Sequence, residues 1–191
     1  MNRTMSTRVV HAFDASASEA IQAAADLIRA GQLVAFPTET VYGLGACAHI
    51  PHAVEEIFRA KGRPSNKPLI VHVSGIEQAR TFTNDFPPVA QRLAEAFWPG
   101  PLSLVLQRAS NVPDVVCGGG QTVAIRAPAH PVSLEFIRRV GDGIAAPSAN
   151  RASRLPPLRA EHVLKGLDGR IDMVLDAGAC PSGLESTVID V

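Results

Sequence analysis

Cysteine, tryptophan and tyrosine are scarce in this chain, with three, one and one among 191 residues. Cys47, Cys117 and Cys180 lie far apart, odd in number and without a Cys-x-x-Cys pair. That argues against a disulfide framework or a cysteine-built zinc site, and makes a reducing cytoplasm the expected compartment. An excess of either charge is missing too, because 18 Lys and Arg balance 18 Asp and Glu. A chain that lives on bulk nucleic acid or on an anionic membrane surface carries a cationic surplus. Apolar runs are cut by Glu39, Arg126 or prolines, well short of the ~20 residues a membrane helix needs. Met1 to Phe13 holds no apolar stretch of signal-peptide length. The six histidines show no metal-ligand spacing, no Gly-x-x-x-x-Gly-Lys-Ser/Thr loop occurs, and no segment repeats.

What remains is a chain that is 46% hydrophobic and 19% charged. At this length it is expected to fold as one domain over 1–191, with 1–15 a loose amino terminus. Helices are expected at Ser18–Ala30, with Ser18 capping and Gly31 stopping it, and at Ala53–Ala60, entered through Pro51. Further helices are read at Ile76–Phe82, Val89–Phe97, Val132–Val140 and Glu161–Leu167 from apolar residues at helical spacing. Strands are read at Leu33–Phe36, Leu69–Val73, Leu102–Leu106, Val123–Arg126, Ile144–Ala146, Met173–Leu175 and Thr187–Val191. Interleaved helices and strands, with some strands consecutive, give an α/β class with a twisted, mixed and partly parallel sheet flanked by helices. Gly43-Leu44-Gly45-Ala46-Cys47-Ala48 fits a loose dinucleotide pattern but lacks its following acid, so its glycines are read as a tight turn.

Charge is unevenly spaced. No acid occurs from Ile57 to Ile76, yet Arg59, Lys61, Arg63 and Lys67 fall there. Stretches 115–134 and 143–160 also lack acids while carrying Arg126, His130, Arg151, Arg154 and Arg159. Any one such cation can be solvated surface charge. Lys61-Gly62-Arg63-Pro64, between a helix and a strand, reads better as an anion pocket, where Arg offers a planar fork and Lys a point charge. Ser148-Ala149-Asn150 follows the strand ending at Ala146, and carboxyl ends of strands are where open α/β sheets bind ligands.

Six segments in order carry a resemblance: Pro37-Thr38-Glu39-Thr40-Val41-Tyr42-Gly43-Leu44-Gly45, then Lys61-Gly62-Arg63-Pro64 with Lys67-Pro68-Leu69-Ile70-Val71-His72. Trp98-Pro99-Gly100-Pro101, Val123-Ala124-Ile125-Arg126-Ala127-Pro128, Pro147-Ser148-Ala149-Asn150 and Gly183-Leu184-Glu185-Ser186-Thr187-Val188 complete the set. Over about residues 18–191 the chain resembles the YrdC-like, threonylcarbamoyl-AMP synthase family. The resemblance implies an α/β fold around a central basic cavity. It implies a nucleotidyltransferase that turns ATP, L-threonine and bicarbonate into threonylcarbamoyl-AMP and pyrophosphate, with Mg²⁺ accompanying ATP. In that family the product passes to a separate tRNA threonylcarbamoyl-transferase complex, which modifies adenosine 37 of tRNAs reading ANN codons; a weak direct RNA contact is also compatible.

By the same resemblance Lys61 and Arg63 would be catalytic. Lys61, Arg63, Lys67, Thr122, Ser148 and Asn150 would hold the nucleotide. Thr40, His72, Arg126, the backbone at Ala146 and Ser186 would hold L-threonine. No protein ligand for the metal is identifiable. Relatives follow Ser-Ala-Asn with a Ser-Gly and a Pro-Ser-Pro-Thr-like run, where this chain reads Arg151-Ala152-Ser153-Arg154-Leu155-Pro156-Pro157. They also continue to an Arg-Pro-Gly segment, and longer members carry an extra carboxyl-terminal domain; neither is expected here. A shortened relative that binds RNA or nucleotide without synthesis is the alternative.

Overall fold

The computed structural model describes residues 6–13 and 17–191. Nine strands form one sheet in the order β1-β8-β2-β3-β7-β4-β6-β5-β9. They are β1 (Arg8–His11), β2 (Val34–Phe36), β3 (Gly43–Cys47), β4 (Ile70–His72), β5 (Leu102–Gln107), β6 (Thr122–Arg126), β7 (Ile144–Ala146), β8 (Met173–Asp176) and β9 (Thr187–Asp190). The helices are α1 (Ala17–Arg29), α2 (Pro51–Lys61), α3 (Ile76–Ala79, continued by a 3-10 turn to Phe82), α4 (Pro88–Phe97), α5 (Pro131–Val140) and α6 (Ala160–Leu167). The sheet is mixed, as expected: β1, β8 and β2 run parallel, as do β4 with β6 and β5 with β9, whereas β3 and β7 lie antiparallel to their neighbours.

Alternation along the strands sends side chains to two cores. Val34, Phe36, Ile144, Met173 and Leu175 meet α1 and α5 on one face. Ala35, Leu44, Val71, Ile125 and Val174 meet α2, α4 and α6 on the other. Helix starts use proline in the first turn of α2, α4 and α5, where the missing N–H has no intrahelical partner to lose. Gly62 and Gly141 end α2 and α5 in the left-handed conformation that a Cβ disfavours.

Three expectations are corrected here. Within the stretch 1–15 expected to be loose, Arg8–His11 pairs in parallel with β8 as an edge strand; residues 1–5 and 14–16 lie outside the described residues. Gly43–Cys47 is no turn but a buried strand. Its glycines serve packing. A Cβ on Gly45 would stand 2.7 Å from Ile144 Cγ2 and 2.9 Å from the Phe36 ring. Gly45→Ala is therefore expected to destabilise the fold by about 1–3 kcal/mol through overpacking, read from the urea midpoint. Ser18 also lies inside the first turn of α1 rather than before it, where its hydroxyl accepts from Arg139.

The α1/α5 core stops at β7. Farther along the same face, register sets Ile70 and His72 beside Ala124 and Arg126, and Ile70 opposite Ala146. A cavity lies over these strands instead of a helix core.

Candidate active site

The loop from Pro37 to Tyr42, between β2 and β3, forms one wall. Thr38 Oγ1 accepts the N–H groups of Thr40 (3.1 Å) and Val41 (3.2 Å) and donates to the Val41 carbonyl (2.7 Å), closing a tight turn. Its proton spent, it receives the Thr40 hydroxyl at 2.8 Å. Tyr42, fully buried, anchors the end of this loop through its hydroxyl, beside the Gly178 carbonyl (2.8 Å) and Asp176 (3.1 Å).

Arg126 rises from β6 almost wholly buried. Its Nε donates to the Gly100 carbonyl (3.2 Å), Nη1 to Thr40 Oγ1 (3.1 Å) and Nη2 to Glu39 Oε1 (2.5 Å). A guanidinium has five N–H donors, so two remain for a ligand. Glu39 Oε2 is buried without a partner. Beside Arg126 in register, His72 sits edge-on to Phe36 at 5.7 Å. Burial first, and the Arg126 charge second, push its pKa down to about 3, so the ring is neutral. Its Nδ1 is buried and unpartnered.

These groups open onto a cavity of about 230 Å³. Of the residues named from the sequence, Thr40, Arg63, His72, Arg126, Ala146, Ser148 and Ser186 line it together. Ser148 bridges to Gly43, and Ser186 Oγ lies 2.8 Å from buried Ser103 Oγ. Arg63, partly buried, donates to the Pro68 carbonyl (3.3 Å); burial lowers its pKa and Glu185 opposes the shift. Arg63 also lines a second, shallower hollow with Phe58, Ser65 and Gly118.

Four named residues stand elsewhere. Lys61 is buried behind the cavity, where its ammonium donates to the carbonyls of Ser148 and Asn150. Burial, then the Arg63 charge, lower its pKa to about 8, against a raising effect of Glu185. Asn150 turns its amide to the carbonyls of Arg151 (3.1 Å) and Arg154 (2.6 Å). Lys67 is exposed, and Thr122 opens β6 opposite Gln107. Neither lines the cavity. Sequence reasoning missed Thr38, Glu185 and Val188 in the lining and Glu39 behind it. The two threonines flanking Glu39 were a usable signal, because hydroxyl-bearing residues at such spacing favour tight turns. Among the described residues, no three His, Cys, Asp or Glu gather to hold a metal ion, and no helix is long and apolar enough to cross a membrane.

A mixed α/β sheet whose uncovered face carries two arginines, a neutral histidine and four hydroxyls defines an α/β domain with a small, donor-rich cavity. The chain belongs to the Sua5/YciO/YrdC family, described as telomere recombination, which it matches over residues 26–191. It is 50% identical over 171 residues to the threonylcarbamoyl-AMP synthase of Pyrococcus abyssi, covering 90% of this chain and 50% of that one. The threonylcarbamoyl-AMP synthase of Bacillus subtilis is 49% identical over 170 residues, 88% of this chain and 49% of its own. The chain thus spans about half the length of these curated relatives. The crystal structure of P. abyssi Sua5 complexed with L-threonine superposes with a TM-score of 0.95 at 46% identity, over 97% of this chain and 54% of that chain.

Proposed function

We propose that this domain joins L-threonine, bicarbonate and ATP into threonylcarbamoyl-AMP, releasing pyrophosphate. The observation that carries the reading is the convergence of five separated segments, through Thr40, Arg63, His72, Arg126, Ser148 and Ser186, on one cavity. Its support is the likeness to synthases and to a Sua5 that holds L-threonine. The two free N–H groups of Arg126 would pair with a substrate carboxylate, and neutral His72 would offer Nδ1 to an amine or hydroxyl. Threonine carries all three groups. Threonine nitrogen and bicarbonate give the carbamate with loss of water. A carbamate oxygen then attacks the α-phosphorus of ATP, and the bond to the β-phosphate oxygen breaks, so pyrophosphate leaves with the electron pair. No side-chain nucleophile is required; positioning and charge suffice. Arg63 balances the departing pyrophosphate, and Lys61 fixes the Ser148–Asn150 turn with its charge close behind. Mg²⁺ would enter as part of the ATP substrate. The product would go on to a tRNA threonylcarbamoyl-transferase complex in the cytoplasm.

The test is direct: with ¹³C-bicarbonate, ATP and L-threonine, mass spectrometry is expected to find threonylcarbamoyl-AMP one mass unit heavy. Absence of that species from folded, ATP-binding protein would leave nucleotide binding alone. Lys61 adds a pH prediction. Its charge is present below about 8 and lost above it. ATP affinity, followed calorimetrically from pH 7 to 9.5, is expected to fall through that value, and Lys61→Arg to flatten the fall. Stability moves the other way. A folded-state pKa below the unfolded 10.5 means that the unfolded chain binds the extra proton, so stability rises between pH 8 and 10.5.

A further inference from the structure

Two hydroxyls that line the cavity are each hydrogen-bonded to a second, buried hydroxyl: Thr40 to Thr38 and Ser186 to Ser103, both at 2.8 Å. A hydroxyl has one proton to give, so the direction of each bond decides what the cavity-facing oxygen can offer a ligand. Thr40 sends its proton to Thr38, whose own proton goes to the Val41 carbonyl, and Thr40 Oγ1 also receives Arg126 Nη1 at 3.1 Å. Thr40 can therefore only accept from a ligand. Ser103 reverses the direction. It is fully buried on β5, and among the described residues Ser186 Oγ is the sole hydrogen-bond partner of its hydroxyl. A buried hydroxyl that withheld its proton from its one partner would leave a donor unsatisfied, so Ser103 donates and Ser186 accepts. The proton of Ser186 is then free for a ligand. Register sets that proton close to Arg126. Leu104 pairs with Ile125, so one step along Ser103 stands opposite Arg126, and both point away from the core that holds Leu104 and Ile125. On its other side Ser103 pairs with Val188, which lines the cavity two residues from Ser186.

We propose that Ser103 is a positioning residue for the substrate carboxylate: by donating to Ser186 it turns the Ser186 proton into the cavity, where that proton joins the two free N–H groups of Arg126 around one carboxylate. Thr40, restricted to accepting, takes an N–H or O–H of the same molecule. Ser103 touches no ligand itself and acts through Ser186 alone. The inference rests on the reading that this cavity binds L-threonine, and adds to it the residue that sets the direction of one hydrogen bond.

Calorimetric titration of the full chain with L-threonine, in the absence of ATP, tests this. Ser186→Ala removes a hydrogen bond to a charged group and is expected to weaken threonine binding about 30-fold. Ser103→Ala keeps the Ser186 hydroxyl but frees it to rotate, and is expected to weaken binding about tenfold. Because Ser103 acts only through Ser186, the double variant should bind no more weakly than Ser186→Ala alone, whereas independent effects would multiply to about 300-fold. A packing loss at Ser103 would not produce that saturation. ATP affinity and the circular dichroism spectrum are expected to match wild type in all three variants. Unchanged threonine affinity in Ser103→Ala, or losses that multiply in the double variant, would overturn the positioning role and leave the threonine site standing. A wild-type chain that binds ATP but no L-threonine would overturn the reading of the cavity and this inference with it.

Discussion

Arg126→Ala is expected to lose stability and threonine use together, for reasons a second substitution separates. The guanidinium is 3% exposed and answers Glu39, Thr40 and the Gly100 carbonyl at once. Removing it strands a largely buried carboxylate whose other oxygen already lacks a partner. Loss of one member of such a pair costs about 3 kcal/mol, which a urea titration reads as a lower midpoint. The KM for threonine should rise by on the order of 100-fold, the worth of a charge-assisted bond to the carboxylate. Adding Glu39→Gln replaces the stranded charge by a neutral amide. The double variant should regain most of the stability and none of the threonine affinity. A double variant as unstable as the single one would show that the ion pair is not what Arg126 contributes to the fold.

Arg63→Ala is expected to do the opposite. Arg63 is partly buried and holds the protein by one 3.3 Å bond to the Pro68 carbonyl, so its loss should change stability by less than about 1 kcal/mol. Its charge faces the cavity where the phosphates would lie. Losing a charge aimed at a leaving group typically lowers turnover by about 10²–10³-fold, and that fall in ATP-dependent turnover is the expected result. Arg63→Lys should recover only part, since a point charge replaces a two-pronged donor. Lys61→Met serves as the contrast. It leaves the buried Ser148 and Asn150 carbonyls without their donor, at a cost of about 1–3 kcal/mol, so its activity loss comes with a loss of stability. Unchanged ATP kinetics in Arg63→Ala would contradict the phosphate assignment.

That contrast marks where sequence and structure part. Both residues sit in one Lys-Gly-Arg-Pro segment and read alike as pocket charges. Position on α2 divides them: Lys61 ends the helix on its buried side, and the left-handed Gly62 turns the chain so that Arg63 reaches the cavity. No periodicity reveals such a turn of the backbone. The helices were legible because apolar spacing, first-turn prolines and terminal glycines agree. β3 was not, because Gly-Leu-Gly-Ala-Cys has none of the branched or aromatic residues that mark strands. Its small residues exist to admit the Phe36 ring and Ile144, a requirement set by β2 and β7. β1 was missed for a different reason: it is a four-residue edge strand whose partner, β8, lies some 165 residues away. Seven named site residues do line the cavity. Lys67 and Thr122, named through the resemblance, do not line it, although Lys67 adjoins the lining residue Pro68.

The central claim is that one cavity couples threonine to nucleotide cleavage. Pyrophosphate release from ATP and bicarbonate, measured with L-threonine, with serine, with glycine and with no amino acid, tests it most directly. The account predicts release that depends on an amino acid and is greatest with L-threonine. Release that is equal with and without threonine, or none from protein that still binds ATP, would contradict it.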